Sequence, residues 1–145
     1  METVFRRASR VVVLDPRDRI LLVQYVRPSG ARYWATPGGG LLEDETHEAA
    51  ARRELAEELG IVAERLEPLW TGPSTYVHGG RQVVQEEKFY LCRLPSAELP
   101  PDHDGVRMQE GIVDLRWWSA SELASPPEPY FPENLREELI KLQRS

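Results

Sequence analysis

The chain has 145 residues, of which 41% are hydrophobic and 29% charged, a composition that excludes a disordered or fibrous protein. We read it as a single domain, residues 1–145, able to bury roughly two-thirds of the surface its unfolded chain would expose. A formal net charge of -6 argues against duplex nucleic-acid binding, which needs a basic face to displace phosphate counterions, but not against small phosphorylated ligands accompanied by a divalent cation.

The longest apolar runs, residues 11–14 and 20–23, fall far short of the ~20 residues a membrane span requires. Residues 1–10 carry basic side chains without an apolar stretch or cleavage site, so no signal peptide is expected. Cys92 is the sole cysteine and has no intrachain disulfide partner. A cytoplasmic location is the expectation.

In chain order, residues 4–14 end in Val-Val-Val-Leu and meet a turn at Asp15-Pro16, which predicts a strand. Residues 20–27 predict its hairpin partner, buried like the first. Tyr33 and Trp34 lead to Pro37, which biases Thr36 toward extended backbone and into a glycine turn at Gly38, Gly39 and Gly40. Thr46 is a candidate N-cap for a helix that runs to Leu59 and stops at Gly60, with Ala51, Leu55 and Leu59 facing the core. Residues 62–72 and 81–94 predict strands joined by a turn-rich loop through Gly72, Pro73, Tyr76, His78 and Gly79, and residues 95–109 a polar loop. Residues 112–119 predict a strand with Trp117 and Trp118, and Ser119 can cap a short helix. Leu135, Leu139 and Leu142 mark an amphipathic final helix within residues 132–143. The pattern is α/β, with helices packed on the faces of a mixed sheet.

On the central helix Glu54, Glu57 and Glu58 fall within about one third of the circumference. Such a cluster is self-repelling by a few tenths of a kcal/mol per pair. It is either a solvated acidic face, with Arg53 pairing to Glu57, or a set of oxygen ligands for a hard cation such as Mg²⁺. The preceding glycines would let the backbone approach a metal and a phosphate closely.

The pattern Gly39-x5-Glu45-x7-Arg53-Glu54-Leu55-x-Glu57-Glu58-x-Gly60-Ile61 resembles, at every defined position, the Nudix box of the Nudix hydrolases. Chance would produce it on the order of 10⁻⁹ times per starting position. The flanks are similar too, with a hairpin before the box and an aromatic strand and short helix late in the chain. The resemblance implies a Nudix-type α/β/α sandwich with a mixed sheet. It also implies a Mg²⁺-dependent pyrophosphohydrolase, Mn²⁺ substituting, in which water attacks a phosphorus of a nucleoside diphosphate linked to another moiety. By the same resemblance Glu54, Glu57, Glu58 and the Gly38 carbonyl are metal ligands, Arg53 orients a glutamate within the catalytic set, and Glu45 supports the loop-to-helix junction. The general base is expected at Glu110, with Glu86, Glu87 and Glu54 as rivals. Two departures stand beside the intact box: Asp44 where many members have Gly, and Leu42 where many have Glu, Glu43 being displaced by one.

Substrate contacts are expected from Gly39, Gly40, Trp34 and Tyr76, with Tyr33, Phe89 and Arg32 as further candidates. The subclass marks of ADP-ribose, dinucleoside polyphosphate, NADH and coenzyme A hydrolases do not appear at their expected places. The partner is therefore a small phosphorylated nucleotide of open identity, and the protein a monomer or homodimer. His47, His78 and His103 do not group at ligand spacing and read as surface residues; Cys92 reads as a buried small hydrophobe. A nucleotide-binding regulatory domain without turnover is the alternative, and the intact carboxylate set favours the enzyme.

Overall fold

The computed structural model describes residues 1–102 and 105–143, so His103 lies outside the described residues. Strands β1 (Thr3–Leu14) and β2 (Ile20–Val26) form the expected antiparallel hairpin, with Leu14 opposite Ile20. Buried Asp15 holds the turn by accepting from the N–H groups of Arg17 and Arg19, both at 2.9 Å, and by an ion pair to the Arg19 guanidinium at 2.7 Å. Successive residues of these strands point to opposite faces. Val11, Val13, Leu21 and Val23 join one core, and Val12, Leu14, Ile20 and Leu22 the other. Burial on both faces explains why the strands read as unbroken apolar runs.

Helix α1 (His47–Leu59) covers the first core with Ala51, Leu55 and Leu59. The second core is closed by α3 (Ala120–Leu123) through Leu123 and by α4 (Leu135–Gln143) through Leu135 and Leu139. The caps form as the sequence predicts. The Thr46 hydroxyl accepts from Ala49 N–H at 3.1 Å, and Gly60 ends α1 in the left-handed region at φ 67°. Ser119 and Glu122 make a reciprocal capping box on α3.

The sheet runs β5 (Glu67–His78), β6 (Arg81–Arg93), β1, β2, β3 (Arg32–Ala35), β8 (Tyr130–Phe131). Strand β4 (Gly38–Gly40) pairs with β1, and β7 (Ile112–Trp118) with β2. Pairing is antiparallel except between β1 and β6 and between β3 and β8. The result is a mixed sheet between helices, the α/β/α sandwich.

Three expectations need correction. The glycine turn is a strand, because Gly38, Gly39 and Gly40 pair with Arg10, Ser9 and Ala8. The strand after α1 starts at Glu67 rather than residue 62, and the supposed loop at residues 72–78 belongs to it. Pro73 misled the reading, yet β5 is the edge strand, where a missing N–H is tolerated. The turn is confined to Gly79 and Gly80, both at positive φ, as a two-residue hairpin of the primed type requires. The polar loop at residues 95–109 contains a short helix, α2 (Val106–Gln109).

Leu55 is fully buried between α1 and the sheet. Leu55→Ala should lower unfolding free energy by about 2–5 kcal/mol, measured by urea denaturation at a fixed divalent-cation concentration.

Candidate active site

Because Ala51, Leu55 and Leu59 occupy the buried stripe of α1, Glu54 and Glu58 sit at its edge, one turn apart, facing the glycine strand. Glu58 is only 4% exposed. The loop between β4 and α1 is fastened to the helix by Arg53. Its Nε and Nη2 donate to the two Glu45 carboxylate oxygens at 2.8 and 2.9 Å, and Nη2 also donates to the Gly40 carbonyl at 3.0 Å. Its Nη1 donates to Glu54 at 3.0 Å and to Glu57 at 3.3 Å. Glu45 in turn accepts from the Leu42 N–H at 2.9 Å. The Arg53 bonds, then the Leu42 N–H, pull the Glu45 carboxyl down to about 2.

The glycines answer to close approach. Gly38 has φ +146°, and a Cβ there would collide with the Ser9 carbonyl oxygen. A Cβ on Gly39 would stand 2.6 Å from Glu54 Oε1. Asp44, the departure before Glu45, adopts φ 62°. That left-handed conformation is the one glycine takes freely and Asp tolerates.

A cleft of about 290 Å³ is lined by Glu54, Glu58 and Glu110 together with Arg6, Arg10, Tyr25, Tyr33 and Gly38 to Gly40 from the strands. A larger groove of about 620 Å³ beside Phe5, Arg7 and Pro73 holds none of the box glutamates. The box glutamates Glu54 and Glu58 therefore belong to the smaller cleft. There Glu58 Oε2 is buried with no hydrogen-bond partner among the described residues. Burial, followed by the neighbouring Glu54 carboxyl, pushes the Glu58 carboxyl well above the usual carboxylate range. A buried carboxylate oxygen without a partner takes either a proton or a cation.

Hard oxygen donors from Glu54, Glu58 and the Gly38 backbone suit Mg²⁺ chemically. Among the described residues no three acidic, histidine or cysteine side chains already converge as a metal cluster. Glu57 shows why: its carboxylate is turned to Arg53, half-exposed and away from the cleft lining. Uncompensated carboxylates repel one another and spread toward the available cation.

Glu110 follows α2 and lines the cleft with Glu54 and Glu58. Its segment is tied to α1 by Arg107, which sequence reading missed. The Arg107 guanidinium donates to the carbonyls of Glu58 at 3.2 Å, Leu59 at 3.4 Å and Pro100 at 2.8 Å. A cation at the last carbonyls of a helix is favoured by the helix dipole. Of the rival bases, Glu54 lines the cleft beside Glu110, whereas Glu86 and Glu87 are engaged elsewhere. Glu86 lies 3.3 Å from His47, and Glu87 is 2.9 Å from Arg10; neither lines the cleft.

The aromatic expectations split by strand alternation. Trp34 does not face the cleft. It is 3% exposed, packs edge-on against Trp118 at 5.3 Å and donates its indole N–H to Glu128 at 2.9 Å. Its neighbour Tyr33 points the other way, stacks on Tyr25 at 5.4 Å and lines the cleft. Tyr76 stands one residue removed from the cleft, its hydroxyl accepting from Arg6 at 3.2 Å and donating to Gln85 at 3.4 Å. Phe89 is buried against Trp70, their centroids 4.4 Å apart. Arg32 donates to Gln24 at 3.3 Å. His47 is not a surface residue; its side chain is 14% exposed, between Ser9 and Glu86. Cys92 is buried, as expected.

A curled mixed sheet between helices, with a carboxylate cleft at a glycine strand, defines a phosphoanhydride hydrolase. The NUDIX domain model matches residues 4–139, and the chain belongs to the Nudix hydrolase family. It is 38% identical over 125 residues to an RNA pyrophosphohydrolase of Teredinibacter turnerae, covering 79% of this chain and 71% of that one. A second RNA pyrophosphohydrolase, from Cereibacter sphaeroides, is 30% identical over 131 residues, 82% of this chain and 79% of its own. The crystal structure of a MutT NUDIX hydrolase from Burkholderia pseudomallei superposes with a TM-score of 0.69 at 27% identity, covering 94% of this chain and 98% of that one. The protein is accordingly a hydrolase acting on phosphoric anhydride bonds and a nucleotide binder. No described helix is long and apolar enough to cross a membrane.

Because Glu58 is held neutral in the fold but ionises in the unfolded chain, metal-free protein should lose stability as pH rises above the usual glutamate range. In excess chelator, Glu58→Gln should therefore melt higher than the parent at pH 8, the gap closing toward pH 4 in a thermal-melt series. Asp44→Gly should relieve the left-handed backbone and melt at or above the parent temperature with hydrolysis unchanged.

Proposed function

We propose that the protein is a Mg²⁺-dependent pyrophosphohydrolase, with Mn²⁺ substituting, that cleaves a nucleoside diphosphate linked to another moiety by attack of water on phosphorus. The observation that carries this reading is the partnerless, buried Glu58 oxygen beside Glu54 at the glycine strand. Glu54, Glu58 and the Gly38 carbonyl are the groups that would hold the metal, with Glu57 joining once released from Arg53. The ion, when bound, neutralises phosphate charge and lowers the pKa of water. Residues 1–145 act as one catalytic unit.

The side chains divide the remaining work. Arg53 is a positioning residue: it fixes Glu45, Glu54 and the Gly40 carbonyl together and does not touch the substrate. Gly39 and Gly40 leave the backbone open for the phosphate chain. Glu110 accepts the proton of the attacking water, held at the cleft by the Arg107 clasp. Tyr33 and Tyr25 offer a stacked aromatic wall to the group attached to the diphosphate. Nucleotide 5′-triphosphates, free or at the end of single-stranded RNA, come first among the substrates, before dinucleoside polyphosphates, nucleotide sugars and ADP-ribose. The names of the two curated relatives support that order, and the acidic overall charge argues against duplex partners.

The test is a panel of these compounds with Mg²⁺ and with Mn²⁺, products resolved by chromatography to show which bond breaks. Cleavage of one class with release of pyrophosphate or phosphate is the expected result; no cleavage of any by folded protein overturns the reading. Glu58→Gln should lose at least on the order of a hundredfold in kcat while folding normally. Glu110→Gln should lower kcat with KM little changed in steady-state kinetics.

A further inference from the structure

Two cations line the cleft, and they are held differently. Arg6 is exposed, lies with its guanidinium over Gly40, where a Cβ would collide with it, and donates to the Tyr76 hydroxyl at 3.2 Å. Arg10 is fixed within β1: its Nε donates to Glu87 at 2.9 Å and its Nη1 to the Thr36 carbonyl at 3.4 Å, with 23% of the side chain exposed. A guanidinium has five N–H donors in one plane. These bonds use the Nε–H and one Nη1–H and leave Nη2 without an acceptor among the described residues.

Gly38 bears on the same side chain. Arg10 is its direct cross-strand partner, and a Cβ on Gly38 would stand 3.0 Å from Arg10 Cδ. The glycine thus makes room for the Arg10 stem as well as for the Ser9 carbonyl. Burial of an ion pair in a sheet gains little stability by itself. A planar donor fixed in the cleft that Glu54 and Glu58 also line, with its Nη2 unengaged, is instead an arrangement that suits a phosphate oxygen.

We propose that Arg10 is a substrate-binding residue that donates to a non-bridging oxygen of the pyrophosphate in the cleft it shares with the glutamates, with Glu87 as its positioning residue. The proposal rests on the pyrophosphohydrolase reading for its ligand. No bond forms or breaks at Arg10; it supplies fixed positive charge and orientation. Glu87, one of the rival bases, is thereby assigned to holding Arg10 in place.

The experiment measures binding of inorganic imidodiphosphate, the non-hydrolysable analogue of pyrophosphate, by calorimetry at saturating Mg²⁺, and separately the Mg²⁺ affinity of each variant. Arg10→Gln should weaken imidodiphosphate by roughly ten- to hundredfold, the size of a lost hydrogen bond to a charged group. Mg²⁺ affinity should be unchanged or tighter, since a repelling charge has gone. Arg10→Lys should recover only part of the loss, and Glu87→Gln should weaken the analogue less than Arg10→Gln. Because Arg10→Gln leaves Glu87 unpaired, the double variant Arg10→Gln/Glu87→Gln supplies a neutral pair of the same shape and should show the same loss. Analogue affinity within twofold of the parent in either folded variant, a fall in Mg²⁺ affinity matching the analogue loss, or no binding by the parent would overturn the proposal. The nucleotide panel keeps the two readings apart. Cleavage with Arg10-independent analogue binding sinks only the role of Arg10, whereas Arg10-dependent binding without any cleavage sinks only the hydrolase substrate reading.

Discussion

The guanidinium of Arg53 ties together parts of the chain that have no other reason to meet. Through one planar group it joins the loop at Glu45, the end of β4 at Gly40, and two glutamates of its own helix. Arg suits this place and Lys does not, because only a fork can satisfy a carboxylate bidentately while still reaching a carbonyl and further acids. The ion pairs are partly exposed, so their worth lies more in geometry than in stability.

Around that group the site separates charge by element. Carboxylates come from α1 and from the turn after α2; cations and phenols come from β1, β2 and β3. Each wall is fixed by an argument of packing. The α1 wall follows from the apolar stripe, which leaves Glu54 and Glu58 at its border. The strand wall follows from two-sided burial of the hairpin, which fixes the register and hence which residue stands opposite Gly38.

Much of this was legible in the residues. Helix α1 and both its caps, the hairpin, the capped short helix at Ser119 and the amphipathic final helix were all readable, because each rests on local chemistry. The box glutamates were identifiable from spacing once the resemblance was seen. Apart from the short helix α2 and the burial of His47, the errors share one physical source: information that lies across the sheet. Pro73 broke a strand on paper but sits on an edge, where pairing is one-sided. Three glycines read as a turn but pair with β1. Trp34 and Tyr33 are adjacent in sequence and equally aromatic, and only the direction of the pleat decides which one sees the cleft. Arg10 and Arg107 carry no motif at all; each is identified by what it touches, a carboxylate from β6 in one case and helix-end carbonyls in the other.

The parallel pairing of β1 with β6 sets the order in which this molecule can be made. Parallel neighbours cannot be closed by a tight turn, and here Val11 must find Tyr90 across most of the chain. The loop-closure entropy of such a contact is met only late, after the hairpin and α1 have formed locally. On a ribosome, the glycine strand and the acidic helix would emerge well before the strand that brings Glu87 to Arg10. The box glutamates and the strand that holds Arg10 in place are thus separated in time as well as in sequence, and the cleft is complete only when the sheet is.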